Sequence, residues 1–400
     1  MNLPYLKYKT LLLTIGVLFI ILPNILLLYL MMPMPGSQEL NSASVAYFIY
    51  NFKPFYMLLG LLLVIIPVLN IAIYGSTGKK VWLFFLTLVC VSTSVLSRKF
   101  SAPTLFKEPV ETNFLTPDKN QLPASTIVLG IERNGIAKAY PVKLLAYHHQ
   151  VKDKIGDENI IATYCTMCRT GNVFSTTLNN KNLELDLIGA LQYNATFREK
   201  ETGSWWCQAT GDFIAGPLKG EKLNEIICEQ VTLSSWLSAH PNSLIMKPDP
   251  NSEEGYKMFG FAHFDKYRDR KRESADRIFP RNWVVGIEVN NEAKAYLWSD
   301  LVKERSINDI VNNTPIVLAM ESDTLSFHSW NRSVNGKTLN FSLDSANNLL
   351  DAETKSNWNW KGECIEGELK GKKLQAIIAS QEYYNSWKTF HPSSTFYKQQ

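Results

Sequence analysis

Cys165 and Cys168 stand in the run Ile160-Ile161-Ala162-Thr163-Tyr164-Cys165-Thr166-Met167-Cys168-Arg169-Thr170-Gly171-Asn172-Val173-Phe174. A β-rich apolar run enters, a Thr-Gly turn follows and a second β-rich run leaves, so the spacing holds two sulfurs on a tight turn between strands. Two thiolates on one turn can share a metal ion, and structural zinc sites complete the tetrahedron with further Cys or His. His148, His149 and Cys207 are the residues that could complete it, giving a metal set of Cys165, Cys168, His148, His149 and Cys207 around zinc or copper, since soft sulfur also suits Cu(I). The same pair could be a dithiol–disulfide couple. Redox motifs of this spacing typically open a helix that lowers the thiol pKa; here a β-like run follows, and Arg169 is the remaining source of positive charge. A nucleophilic Cys with His148 or His149 as base is a third chemistry. A structural disulfide or inert thiols are the plain alternative. Arg169 after Cys168, where a c-type haem site needs His, speaks against haem attachment.

The elements that would position these residues occur twice. Gly130-Ile131-Glu132-Arg133-Asn134-Gly135-Ile136-Ala137-Lys138-Ala139-Tyr140 recurs as Gly286-Ile287-Glu288-Val289-Asn290-Asn291-Glu292-Ala293-Lys294-Ala295-Tyr296, a separation of roughly 150 residues. Asn134-Gly135 and Asn290-Asn291 sit between alternating apolar residues and read as hairpin turns, as do Asn179-Asn180 and Asn335-Gly336. Glu201-Thr202-Gly203-Ser204-Trp205-Trp206 is echoed by Glu353-Thr354-Lys355-Ser356-Asn357-Trp358, and Gly216-Pro217-Leu218-Lys219-Gly220 by Gly367-Glu368-Leu369-Lys370-Gly371. Each copy closes with a short helix, N-capped by Thr232 or Ser380 and followed by Pro241 or Pro392. Trp236 with His240, and Trp387 with His391, fall at i and i+4 on its face. Features kept in both copies are structural; those of one copy are candidates for chemistry. Opposite Cys165 and Cys168 stand Leu318 and Glu321, opposite His148 and His149 stand Glu304 and Arg305, and opposite Cys207 stands Asn359. The metal set is therefore private to the first copy.

Ahead of this lies a membrane region. Apolar runs near 11–32, 55–74 and 81–97 have the length of bilayer spans, and Pro23 and Pro67 within them are tolerated in membrane helices. The first is long for a signal peptide and lacks a small-residue cleavage site. Lys7, Lys9, Lys79 and Lys80 place the N-terminus and the second turn in the cytoplasm, so the rest of the chain falls on the extracytoplasmic side of an inner or plasma membrane, although Arg98 and Lys99 oppose this. No ionisable residue marks a transport path in the spans, which reads them as an anchor whose partner is the lipid bilayer. The expected layout is a transmembrane region at 1–99, a first soluble repeat at 100–247, a connector at 248–280 and a degenerate second repeat at 281–400. The soluble part is an α+β, mostly β, internally duplicated domain.

Composition excludes little else. The 400 residues carry 41 Lys and Arg against 37 Asp and Glu, a net charge of +4, too mild for a nucleic-acid footprint. Cys90 sits in an apolar run and reads as a buried small hydrophobe. Cys165, Cys168, Cys207, Cys228 and Cys364 are an odd set, so at least one is outside any disulfide. Tyr193-Asn194 reads as a plain hairpin. Asn194-Ala195-Thr196 and Asn331-Arg332-Ser333 are glycosylation sequons, informative only in a secreted eukaryotic protein. No phosphate-binding loop, dinucleotide fingerprint or Ser nucleophile elbow is present.

From about Asn134 to His391 the chain resembles the prokaryotic domain-of-unknown-function family DUF-3179. Tyr164, Cys165, Cys168 and Thr170 match its Tyr-Cys-Pro-x-Cys-Gly-Thr core. Tyr147 and His148 match an upstream Trp/Tyr-His-Glu, and Glu201, Thr202, Gly203, Ser204, Trp206 and Gln208 a downstream Glu-Thr-Gly-Ser-x-Trp-Ser-Gln. Thr166 stands in place of Pro, Arg169 of Gly, His149 of Glu and Cys207 of Ser. The resemblance implies the two-copy layout and the Cys165, Cys168 and His148 set, and implies no activity or substrate. The expectation is a membrane-anchored extracytoplasmic protein with a Cys/His metal site that could support redox work. A non-catalytic sensing or scaffold module with a structural disulfide is the alternative.

Overall fold

The computed structural model describes residues 3–259 and 281–398. Most of the connector, with Phe261, Phe264, Tyr267 and the charged run from Arg268 to Glu273, lies outside the described residues. Contact density divides the chain into two units. One comprises Met1–Phe106, Glu184–Cys207 and Asp212–Glu221; the other comprises Lys107–Leu183, Gln208–Gly211 and Lys222–Gln400.

The first unit holds three helices long and apolar enough to cross a membrane: α1 (Leu3–Met31), α2 (Ala43–Tyr74) and α3 (Thr77–Lys99). They outrun the apolar runs in the sequence. The second begins at Ala43 because Pro54 lies inside the helix rather than breaking it, and the turn before α3 shrinks to Gly75-Ser76. Gly16 and Gly60 set the crossing of α1 and α2. A Cβ on Gly16 would lie 2.8 Å from the Gly60 carbonyl oxygen, and one on Gly60 2.7 Å from that of Gly16, the close backbone approach that small residues allow between membrane helices. Asn24 is buried in the bundle, donating to Ile20 O at 2.7 Å and accepting from Ser97 Oγ at 3.0 Å. Cys90 is half-buried on α3 rather than buried, since that helix presents no buried residue.

The C-terminal end of α1 and the N-terminal end of α2 pack against a four-stranded sheet of Leu185–Leu191, Asn194–Glu199, Trp205–Cys207 and Phe213–Ala215. Leu27, Leu30, Met31 and Ala46 share one apolar core with Ile188, Leu191, Trp205 and Ala215. Tyr47 and Tyr50 meet the Trp205 ring edge-on at 5.3 and 5.5 Å. The Glu-Thr-Gly-Ser motif here closes a turn. Glu199 accepts from Thr202 N–H at 2.6 Å, and Ser204 Oγ accepts from Leu218 N–H at 3.0 Å.

In the second unit one order of elements occurs twice. The first series is β1 (Ile127–Arg133), β2 (Ile136–Pro141), α4 (Val142–His148), β3 (Gln150–Ile155), β4 (Glu158–Cys165) and β5 (Thr170–Ser175), closed by β6 (Glu229–Thr232) and α5 (Leu233–Ala239). The helix α6 (Glu253–Phe259) follows. The other series is β7 (Trp283–Val289), β8 (Glu292–Leu297), α7 (Trp298–Glu304), β9 (Ser306–Val311), β10 (Thr314–Met320) and β11 (Phe327–Asn331), closed by β12 (Ala379–Tyr383) and α8 (Tyr384–Phe390). β1 and β2 form a hairpin whose turn residues Asn134 and Gly135 have φ of 53° and 79°; at the β7–β8 turn Asn290 and Asn291 have 47° and 67°. These left-handed positions are why Asn and Gly stand there.

The shared motifs have structural explanations. Gly130 and Gly286 lie under the rings of Trp236 and Trp387, where any Cβ would collide with the indole. Both indoles donate to a serine, Ser243 or Ser394, at 2.7 Å. In Ala-Lys-Ala-Tyr, Lys138 and Tyr140 reach Asp153 at 2.7 Å each, while Lys294 and Tyr296 reach Asp309 at 2.6 and 2.9 Å. Trp236 packs on His240 with ring centres 4.1 Å apart, and Trp387 on His391 at 3.7 Å. Thr232 caps α5 by accepting from Ser235 N–H. Ser380 does not cap α8: it lies within β12, which runs on to Tyr383. Gln230 of β6 and Gln381 of β12 hydrogen-bond to each other through their amides, joining the two series.

Candidate functional site

Cys165 ends β4 and Thr170 opens β5, and the two are the last paired residues of that hairpin. The intervening turn is drawn tight by Arg169 N–H donating to Cys165 O at 2.8 Å, with Arg169 in the left-handed region at φ 64°. The CxxC thus sits on a tight turn between strands and opens no helix, as its sequence context suggests. Both cysteines are buried, Cys165 1% and Cys168 0% exposed. Their side chains hydrogen-bond to each other, and Cys168 Sγ lies 3.7 Å from Cys165 O.

What surrounds the turn comes from β12 and from Trp283 of β7, beyond the reach of sequence reasoning. Tyr383 N–H donates to Cys168 O at 2.8 Å. Arg169 is 1% exposed, with its guanidinium carbon 3.6 Å above the Trp283 ring and its Nε donating to Gln381 Oε1 at 3.3 Å. Its charge is therefore held by stacking and an amide. Glu382 is 3% exposed, and its carboxylate lies 3.5 Å from Thr170 Oγ1. Burial, helped by the neighbouring Cys168, pushes the Glu382 carboxyl up to about 8, against the hydrogen bonds of Ser386 and Thr170. Burial and the adjoining Cys165 likewise hold the Cys168 thiol well above its ordinary range. Tyr164 is fully buried, and its phenol is raised by burial against the pull of Arg169. At neutral pH the cluster thus holds a protonated thiol beside a mostly protonated carboxyl, so neither of these two groups buries a charge. Gln208 Nε2 donates to Thr170 O at 3.0 Å and braces the base of the turn.

The histidines serve other ends. His148, the last residue of α4, is 0% exposed. Its Nδ1 lies 2.5 Å from Lys107 O and its Nε2 2.6 Å from Tyr256 Oη. A carbonyl only accepts, so Nδ1 carries the proton and Nε2 accepts from the Tyr256 hydroxyl. Burial lowers the His148 pKa. His149 is the left-handed cap of α4 at φ 62°, and burial depresses its ring to about 4. Its carbonyl accepts from Tyr164 N–H at 3.1 Å, which ties the helix to the cysteine strand through backbone. Cys207 belongs to the other unit, buried in its sheet with Sγ 3.7 Å from Asn194 Oδ1. Among the described residues no group of three or more His, Cys, Asp or Glu is gathered as a metal cluster.

The hydrogen-bond pattern corrects one correspondence. Met320 N–H donates to Arg305 O at 2.8 Å, as Tyr164 N–H does to His149 O, and Arg305 repeats the left-handed cap at φ 64°. Cys165 is thereby matched by Glu321 rather than Leu318: Tyr164 pairs with Gly171 and Met320 with Phe327, and six residues lie between the members of each pair. Glu321 reaches a second buried cluster that the sequence reading did not register. His328, 4% exposed, stacks between Trp330 and Trp360 at 5.3 Å from each. Its Nε2 is 2.8 Å from Glu321 and its Nδ1 3.4 Å from Glu229. Burial opposes its charge, but Glu229 and Glu321 prevail and hold the imidazole protonated to about pH 9.

Comparison with known proteins finds one family. A family model described as a protein of unknown function (DUF3179) matches residues 105–394. No curated protein and no solved structure matches the chain.

Proposed function

Because the chain belongs to the DUF3179 family, whose description carries no activity, we propose from the geometry alone that Cys165 and Cys168 form a thiol–disulfide centre with Glu382 as its proton relay. The observation that carries this is the pair of buried cysteines on one turn with their side chains hydrogen-bonded to each other, next to the buried Glu382 carboxyl 3.5 Å from Thr170 Oγ1. Oxidation of a dithiol releases two protons, and a group titrating near working pH is the efficient acceptor. In the reaction a low-molecular-weight disulfide R–S–S–R takes two electrons. The Cys165–Cys168 S–S bond forms, the sulfur–sulfur bond of R–S–S–R breaks, and two R–SH leave with the two thiol protons, one passing through Glu382. Two cysteines on one turn are within the reach such a bond needs. Both thiols are covered, so exchange runs through outward movement of the turn that carries the half-exposed Thr166 and Met167.

A metal ion on Cys165 and Cys168 is the second reading, supported by the pairing of two soft donors. His148 would join it only by giving up the Tyr256 hydroxyl. The remaining expectations complete the proposal. The soluble part is a duplicated domain, supported by the repeated order of elements and the repeated Trp-on-Gly and Lys-Tyr-Asp contacts. The three helices anchor it to a membrane with the domain on the extracytoplasmic side, supported by the lysines at the first helix and second turn. The test is a redox titration of the full chain in detergent micelles, equilibrated with graded reduced and oxidised glutathione and read by thiol trapping and peptide mass. A single two-electron transition at Cys165 and Cys168, shifted by Glu382→Gln, is expected. Thiols that stay unreacted until the chain unfolds would refute the redox reading. Near-stoichiometric zinc or copper, lost in Cys165→Ser/Cys168→Ser, would move the assignment to a metal site.

A further inference from the structure

We propose that the second unit binds one neutral hexose ring in a cavity between its two series, with Trp330, His240 and Glu229 holding the sugar hydroxyls. This goes beyond the thiol–disulfide reading and depends neither on it nor on the membrane reading. The cavity has a volume of about 220 Å³, below the roughly 300–1,000 Å³ of pockets for drug-sized ligands and so of single-ring size. One wall is Gly130 of β1 with Trp236 and His240 from α5 and its end; the other is Trp330 of β11 with Leu374 and Ala376. Glu132, Glu229, Lys361 and Lys373 line it as well, and all four act electrostatically on the His240 ring.

The charges there are already engaged. Lys361 and Lys373 both pair with Glu363, at 3.9 and 3.2 Å, and Arg133 pairs with Glu158 at 2.9 Å. Glu229 faces His328 at 3.4 Å, and Glu132 accepts from Gly135 N–H at 2.9 Å. An ionic ligand would add an unmatched charge. What the lining still offers is neutral hydrogen bonding. Trp330 is 2% exposed, and among the described residues its indole N–H makes no hydrogen bond, whereas the indoles of Trp236, Trp358 and Trp387 each donate to a side chain. A buried donor calls for an acceptor. Burial above all lowers the His240 pKa, so at neutral pH the ring carries one donor and one acceptor nitrogen. Each lysine ammonium has donors beyond the one turned to Glu363, and Glu229 has a second oxygen. Donors and acceptors mixed among aromatic walls, with their charges paired, complement the hydroxyls and the apolar C–H face of a sugar ring.

The duplication supplies a control. At the pseudo-equivalent place Gly286, Trp387 and His391 repeat the first wall, but there His391 is engaged by Glu288 at 3.3 Å and by Trp387 O at 3.3 Å. Among the described residues the His240 ring nitrogens make no hydrogen bond. Across from His391, Phe174 pairs with Glu225, as Trp330 pairs with Ala376. Glu225 reaches the charges of Lys222 and Glu288, and the methyl of Ala376 leaves the room that this longer side chain takes.

The full chain in a polyoxyethylene detergent, which carries no sugar, is titrated with D-glucose, D-galactose and D-mannose and read by saturation-transfer NMR of the sugar protons. At least one is expected to bind saturably, with a Kd of about 1 mM or below, and more tightly than the uronate and the 2-amino sugar of the same ring. Trp330→Phe should weaken it about fivefold through the lost N–H, and His240→Phe, which keeps a ring on Trp236, about tenfold. Ala376→Glu should abolish it. Failure of the parent to bind any of the three sugars overturns the proposal, as does tighter binding of either charged analogue; neither comparison needs a variant. Binding unchanged by Ala376→Glu, in a protein that melts like the parent, overturns it as well.

Discussion

Replacing Glu382 by Gln removes a buried titration and keeps a side chain of the same shape beside Thr170 and Ser386. Glu382 has an ordinary carboxyl value of 4.5 and is raised to about 8 in the folded protein. A raised folded value means that the folded state binds more protons between these limits, so stability is fully present below 4.5 and is lost as pH rises toward 8. At about 1.4 kcal/mol per pH unit, Glu382 costs the folded protein about 3 kcal/mol between about pH 5 and about pH 7.5. For a unit of this size that is a fall of about 6–12 °C in melting temperature. Melting of the full chain in detergent, followed by near-ultraviolet circular dichroism, reads it. Glu382→Gln should flatten the parent's decline over this range, whatever constant offset the substitution adds. The other titrating groups are common to both proteins and cancel in the difference. Parallel pH profiles for parent and variant would show that the carboxyl is already ionised in the folded state, and the proton relay would fall with it.

The second buried cluster titrates in its own window. His328 is raised above its ordinary 6.5 to about 9, so its contribution is complete below pH 6.5 and disappears as pH rises through 9, about 3 kcal/mol in all; Glu321→Gln should remove much of that alkaline loss in the same melts. Gly130→Ala and Gly286→Ala each drive a methyl into an indole, and each should cost about 1–3 kcal/mol, measured as a lower melting temperature with the redox transition unmoved. Gly16→Leu should separate α1 from α2 and make the chain sensitive to protease in detergent, whereas Val45→Leu, at an exposed position in the first turn of α2, should not. Cys207→Ser should leave the two-electron titration of Cys165 and Cys168 unchanged; a lost or shifted transition would put Cys207 in the centre.

Asn134-Gly135 and Asn290-Asn291 show what local chemistry makes legible. Turns that need left-handed backbone select Asn and Gly, and those residues mark hairpins whatever the surroundings. The lysine, tyrosine and aspartate of the paired hairpins, and the Trp over its glycine, repeat because a fold contact needs its partners wherever it is built. The helices were readable from apolar length, though not their ends, because a proline inside an apolar helix leaves the sequence looking broken at Pro54 while the backbone continues.

Cys165, Cys168 and the turn between them were determined by the sequence itself, since a strand–turn–strand pattern is local. The partners were not. Glu382 and Gln381 lie over two hundred positions from Thr170 and Arg169 and sit in an ordinary-looking strand; only the packing of β12 against the turn buries the carboxyl and raises it. His148 carried every sequence mark of a ligand, yet its two nitrogens are taken by Lys107 O and Tyr256 Oη. Residue type and spacing decide what a side chain can do. Burial and long-range neighbours decide which protonation state and which partner it has, and these exist only once the chain has folded.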